Sequence, residues 1–239
     1  MLLVDQIHAY YGQSYVLQGI TFKVEEGQIV GLLGRNGVGK TTTIRSVVGF
    51  IKPRRGRITF KGCEIQNQPA YKISRLGIGL VPQGRRVFDS LSVYEHLALG
   101  VSKKEVAETW DIKMIYDLFP RLKEREGQMA NTLSGGEQSM LSIGRALMMN
   151  PSLLVMDEPT EGLAPIVVQQ VANTIASLKA GKQSILLVEQ NIGFALEVAD
   201  IVHVMSKGRI VFSGTPEELR GRPDVEARYL GVGNPNDQV

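Results

Sequence analysis

Short apolar runs recur along the chain, each ending abruptly in polar or glycine residues. Residues 28–33, 77–82, 153–156 and 184–188 show no regular polar alternation, the pattern of strands buried on both faces of a parallel sheet. They run into Gly34, Gln83, Asp157-Glu158 and Glu189-Gln190. Nearer the N-terminus the period is two. Ile20, Phe22 and Val24 alternate with Thr21 and Lys23, so residues 2–30 read as β-structure turned at Glu25-Glu26-Gly27. Residues 57–61 form another alternating strand, and 201–205 and 209–212 flank the hairpin turn Lys207-Gly208. From Arg86 to Asn150 the period becomes helical. Ser92 and Glu95 make a capping box, and Ile112, Ile115, Tyr116 and Phe119 fall on one face of a helix that Pro120 ends, with Trp110 as a packing anchor. Residues 162–178 form an amphipathic helix, and Thr215-Pro216-Glu217-Glu218 opens a last one. The pattern predicts a helical insert, 86–150, between two parts of an α/β core, 1–85 and 151–235, with a loose tail at 236–239.

The run 28–33 leads into Gly34-Arg35-Asn36-Gly37-Val38-Gly39-Lys40-Thr41, which reads G-x-x-x-x-G-K-[ST] and precedes a helix from Thr41 to Val48. Strand, glycine loop and helix N-terminus together make an anion site: free N–H groups at the positive end of a dipole. Lys40 can reach β- and γ-phosphates, and the Thr41 hydroxyl can ligate Mg²⁺. Asp157 and Glu158 close an apolar strand, where carboxylates are costly unless they serve something charged. Asp157 is placed to hold Mg²⁺ and Glu158 to polarise an attacking water. Gln83 can help ligate the metal or sense the γ-phosphate. In Leu133-Ser134-Gly135-Gly136-Glu137, Ser134 and Glu137 again satisfy a capping box, opening the helix over 138–149. Two successive glycines there cost ~1 kcal/mol each against alanine in a helix interior. Bare N–H groups at a second anion-binding helix end would explain them. One chain would then carry two phosphate-binding surfaces, economically explained by nucleotides shared across a dimer interface.

Composition narrows the picture. A net charge of +3 gives no argument for nucleic acid as a partner. The single cysteine, Cys63, excludes an internal disulfide and reads as a small filler beside a hairpin. No signal peptide is read at the N-terminus, and the uncharged stretch 162–178 contains Pro165, Gln169, Gln170, Asn173 and Thr174, too polar for a membrane span. The expected setting is cytosolic, with any membrane role through a partner. Arg54, Arg55 and Arg57 read as a solvated basic turn.

In combination, the loop 34–41, Gln83, the segment 133–137 and Asp157-Glu158 resemble the phosphate loop, glutamine loop, signature and Walker B of the ATP-binding cassette family. The resemblance spans nearly the whole chain. It implies a P-loop NTPase (RecA-like) core with an N-terminal antiparallel β subdomain and an inserted helical subdomain. It further implies a sandwich dimer in which each ATP lies between one subunit's residues 34–42, Thr42 included, and the other's Ser134, Gly135, Gly136 and Glu137. By the same resemblance Tyr11 stacks on adenine. The family usually has histidine where this chain has Gln190, a residue without a titratable proton near neutrality, and aspartate where Glu161-Gly162-Leu163-Ala164-Pro165 has alanine. Those two segments are similar to an ATP-binding subunit of branched-chain amino-acid importers, with urea and amide importers close behind. The implied assembly is two ATPase subunits, different or identical, under two membrane permeases on the cytoplasmic face of the inner membrane, fed by a soluble solute-binding protein. A phosphate-loop kinase would leave 133–137 unexplained. Soluble cassettes acting in translation or on DNA usually carry a second cassette or a long coiled coil, neither of which is present.

Overall fold

A computed structural model describes residues 1–101 and 110–231. The alternating N-terminal segment is an antiparallel hairpin, β1 (Leu2–Tyr11) and β2 (Ser14–Val24). The first apolar run is β3 (Ile29–Leu33), buried throughout, and its loop enters α1 (Lys40–Val47). Next, β4 (Arg55–Phe60) pairs with β1 and carries the two-residue edge strand β5 (Cys63–Glu64). After α2 (Ala70–Leu76) comes β6 (Ile78–Val81).

Among the described residues, the segment from β6 to the next named strand is helical: α3 (Val93–Ala98), α4 (Ile112–Leu118), α5 (Pro120–Glu124), a 3₁₀ turn (Ala130–Thr132) and α6 (Gly135–Leu147). Strands and helices then alternate through β7 (Leu153–Asp157), α7 (Pro165–Ala180), β8 (Ser184–Glu189), α8 (Ile192–Val198) and β9 (Ile201–Ser206). The chain continues with β10 (Arg209–Gly214), α9 (Pro216–Arg220), α10 (Pro223–Val225) and a π-helical turn, Glu226–Leu230.

Two sheets result. One runs β2-β1-β4-β5 and is antiparallel; the other runs β10-β9-β3-β8-β7-β6, parallel except for β10. Side chains alternate across the pleat, so the parallel sheet divides two cores. Val30, Leu32, Val155 and Leu186 pack with the antiparallel sheet and with Ile44 and Val47 of α1. Ile29, Leu33, Met156 and Leu187 face the helices, against residues such as Leu141, Ile143 and Ile175. Trp110 packs half-buried on that second core. Burial on both faces is why these strands carry uninterrupted apolar runs.

All three capping boxes form reciprocally, at Ser92/Glu95, Ser134/Glu137 and Thr215/Glu218; each N-cap contributes about 1 kcal/mol. Some expectations change. Pro120 does not simply end a helix: α4 stops at Leu118 and Pro120 takes the first turn of α5, where its missing N–H costs nothing. Cys63 is no filler, because β5 lies exposed on the sheet edge. Arg54 is more than a solvated charge: its guanidinium lies 4.3 Å over the Tyr10 ring and donates to Gly12 O. Helix α7 begins at Pro165 rather than at Gly162. The tail expected at 236–239 lies outside the described residues. No helix among the described residues is long and apolar enough to cross a membrane.

Candidate nucleotide site

Adjacent parallel strands bring their carboxyl ends to one level. Leu33 pairs with Glu189, Val188 with Asp157, and Met156 with Val81. The segments leaving those ends are the glycine loop, Glu189-Gln190, Asp157-Glu158 and Pro82-Gln83. Crevices outside the carboxyl ends of open α/β sheets are where ligands bind.

The glycine loop is built on two close approaches. Gly34 has φ +154°, and a Cβ there would stand 2.6 Å from Met205 O; Gly39 has φ +109°, and its Cβ would meet Leu17 Cδ2 at 2.8 Å. Gly39 is the N-cap of α1 and offers no side-chain cap, so the first-turn N–H groups are left for an anion. Arg35, Asn36 and Gly37 are exposed, Val38 and Thr41 half-buried, and Thr42 buried.

Lys40 and Glu158 are 4% and 8% exposed and form an ion pair of 3.0 Å. The Lys40 ammonium also donates to Gly34 O at 2.8 Å and Arg35 O at 3.2 Å. Glu158 adopts φ +49°, a left-handed backbone that costs a non-glycine residue ~1–3 kcal/mol. Its other oxygen accepts from Gln83 Nε2 at 3.2 Å, which also reaches Glu161 Oε2 at 3.1 Å. Thr41 Oγ1 donates to Asp157 Oδ1 at 3.4 Å. Burial, and then the charge of Glu158, push the Asp157 pKa up to about 6. Tyr11, 46% exposed, accepts from Arg45 Nη1 at 3.3 Å. Together Tyr11, Thr41, Arg45, Gln83, Asp157 and Glu161 line a cleft of about 600 Å³.

Ser134 and Glu137 stand apart from this group; no hydrogen bond or ion pair among the described residues joins them to the glycine loop. Glu137 caps α6 through Ser134 and pairs with Arg125 at 2.8 Å. Gly136 also has a packing reason invisible in the sequence, whereas Gly135 meets only the end of an arginine side chain that can move aside. A Cβ on Gly135 would strike the Arg85 guanidinium at 2.6 Å, and one on Gly136 would strike Val167 at 2.8 Å. Gln190 is exposed just past β8, its backbone N–H donating to Glu189 Oε2.

The structure adds Arg85, Thr160, Glu161 and Glu189 to the residues around the site. Arg85 reaches toward Glu161 O and Gly162 O, a contact between distant segments with no local signal. Glu189 had one: like Asp157, it is a carboxylate closing an apolar strand.

Residues 17–161 match the ABC transporter family, a stretch holding every candidate read from the sequence except Tyr11 and Gln190. This chain belongs to the ABC transporter family. Among ABC transporter proteins it is 43% identical over 97% of its length to the whole of the high-affinity branched-chain amino acid transport ATP-binding protein BraG of Pseudomonas aeruginosa. The same organism's BraF, likewise a high-affinity branched-chain amino acid transport ATP-binding protein, is 30% identical over 97% of this chain and 98% of its own. A nucleotide-free ATP-binding cassette from an ABC transporter superimposes with a TM-score of 0.84 at 28% identity, covering 98% of this chain and 99% of that one. The ABC transporter fold is therefore established across the described chain, and the chain is an ATP-binding cassette.

Proposed function

We propose that this chain is the ATP-hydrolysing subunit of a membrane importer of branched-chain amino acids. The observation that carries the motor reading is the convergence of the glycine loop, Gln83, Asp157, Glu158 and Gln190 at the level carboxyl ends of neighbouring strands. The solute reading rests on likeness to BraG and BraF, and the presence of two such proteins in one organism supports pairing with a second, different ATPase subunit.

In this reading residues 34–42 cradle the triphosphate and Tyr11 stacks on adenine, worth ~1–3 kcal/mol. Among the described residues Lys40 has one anionic partner, Glu158. An arriving γ-phosphate takes over that ammonium and leaves the Glu158 carboxylate to orient and deprotonate water. Gln83, hydrogen-bonded to Glu158, sits where it registers the exchange. Phosphoryl transfer needs positioning and charge compensation. Part of that comes from Ser134 and the uncovered N–H groups of Gly135 and Gly136, offered by a neighbouring subunit. What supports a Mg²⁺ site is its donor set: the Thr41 hydroxyl and a carboxylate, Asp157, crowded by Glu158, with the Gln83 amide nearby, oxygen ligands suited to a small hard cation. When bound, that ion supplies charge compensation at the phosphates.

The segment 86–150 acts as the helical lever between core parts 1–85 and 151–235. Phe50, which lines the cleft with Gln83, and Phe88, five residues along from Gln83, are both more than half exposed and offer landing surface for a cytoplasmic helix of the permease. Two permease subunits, a second ATPase and a solute-binding protein complete the assembly at the inner face of the membrane. Reconstituted with those partners, Lys40→Ala and Glu158→Gln are each expected to lower ATP turnover by about a hundredfold or more. Wild-type turnover in either variant would refute the site. Failure of ATP to drive leucine uptake, with turnover intact, would refute only the solute.

A further inference from the structure

Glu189 is 2% exposed, and no lysine or arginine pairs with it among the described residues. Its acceptor capacity is instead taken up by neutral donors. Oε1 accepts from Thr160 Oγ1 at 2.7 Å and Thr160 N at 3.2 Å. Oε2 accepts from Gln190 N at 3.0 Å and Asn191 N at 3.1 Å. Burial raises its pKa above the ordinary carboxylate value, while all four donors pull the other way. A buried carboxylate held by four donors is an expensive way to close a strand unless the geometry it enforces matters.

The two sides it joins are informative. Thr160 lies two residues beyond Glu158, in the turn whose strained backbone aims the Glu158 carboxylate at Lys40 and Gln83. That turn is fastened elsewhere by Glu158 N to Val188 O at 2.9 Å and by Ser139 Oγ to Pro159 O at 3.1 Å. On the other side, Gln190 and Asn191 begin the segment that leaves β8, and Asn191 caps α8. One side chain thus fixes both the glutamate turn and the start of the Gln190 segment.

We propose that Glu189 is a positioning residue for ATP hydrolysis, a brace that holds the Glu158 turn and the Gln190 backbone in one relation to the γ-phosphate. The inference rests on the reading of Glu158 and Gln190 given above. A carboxylate is required because its two oxygens take two donors each; an amide has one oxygen, and its NH₂ would face N–H groups.

The test uses the full chain in its assembled transporter. Turnover and KM for ATP are measured beside the affinity of a fluorescent trinitrophenyl-ATP analogue, for Glu189→Gln, Thr160→Val, Thr160→Ser and the Glu189→Gln/Thr160→Val double variant. Glu189→Gln is expected to lower kcat about tenfold or more, because a hydrogen bond to a charged group is lost in the aligned state. KM and analogue affinity stay within about twofold of wild type, since the phosphate cradle is untouched. Thr160→Val lowers kcat in the same way, Thr160→Ser keeps the hydroxyl and the rate, and the double variant is no slower than Glu189→Gln alone. Wild-type kcat in Glu189→Gln would overturn the proposal. So would Thr160→Ser as slow as Thr160→Val, or kcat and analogue affinity falling together. Should Glu189→Gln not fold, the Thr160 pair decides. Full turnover in Glu158→Gln would remove the underlying site reading itself, a result distinguishable from all of these.

Discussion

A carboxylate at the end of an apolar strand is legible in sequence because burial makes it costly, and that reasoning located Asp157 and Glu158. It applies equally to Glu189, a buried carboxylate that accepts from Thr160, Gln190 and Asn191. Other residue-level facts were beyond reach: Arg85 against Gly135 depends on folding that brings separate segments together. Gln190 carries a sharper expectation. Glutamine has no proton to lose near neutrality, so Gln190→His should leave trinitrophenyl-ATP affinity unchanged while making turnover depend on pH between about 6 and 7. Identical pH–rate profiles in the reconstituted complex would deny Gln190 a role in hydrolysis. His203 on β9 supplies a prediction about stability. It is buried, with Nδ1 on Ser213 Oγ at 2.8 Å and, among the described residues, no partner for Nε2. Burial pushes its pKa from 6.5 down to about 4. The unfolded chain therefore binds the proton first, and stability falls as pH drops from about 6.5 toward 4, by up to ~3 kcal/mol. In urea melts across that range His203→Leu should lose less stability than wild type; parallel losses would contradict the assignment.

At the scale of elements, the buried strands and the capped helices were readable because each carries its own pattern, an apolar run or a cap followed by a glutamate. Helix α2 was not, since Ile73 is its one buried residue and leaves no stripe. Edge strand β5 is too short to show a period. Packing between helices was equally hidden, and Gly144 in α6 shows why it matters. Alanine would gain ~1 kcal/mol of helix propensity. Its Cβ would, however, stand 2.9 Å from Ile115 Cγ2 and 3.1 Å from Leu97 Cδ2, where α3 and α4 rest on α6. Overpacking costs ~1–3 kcal/mol, so Gly144→Ala should lower the thermal midpoint. A rise would mean that these helices yield more easily than their contacts suggest.

For the whole molecule, the alternation of strands with helices announced a parallel sheet, but the order β9-β3-β8-β7-β6 depends on long-range pairing that no local pattern encodes. The same holds for the separation of the Ser134 end of α6 from the glycine loop. If α6 presents its N-terminus to a neighbour's nucleotide, Ser134→Arg should leave trinitrophenyl-ATP binding by the isolated chain within about twofold of wild type while lowering turnover of the assembly at least about tenfold. Equal loss in both measurements would place Ser134 at its own chain's nucleotide instead. One tether gives this arrangement a temporal side. Ser139 lies on the helix that Ser134 opens, and its hydroxyl grips the carbonyl of Pro159, next to Glu158. If a neighbour's nucleotide shifts the front of that helix, this hydrogen bond is one route by which the shift would reach the Glu158 turn. Opposed subunits built this way would keep step with one another, and Ser139→Ala would let their cycles drift, drawing the Hill coefficient for ATP toward one.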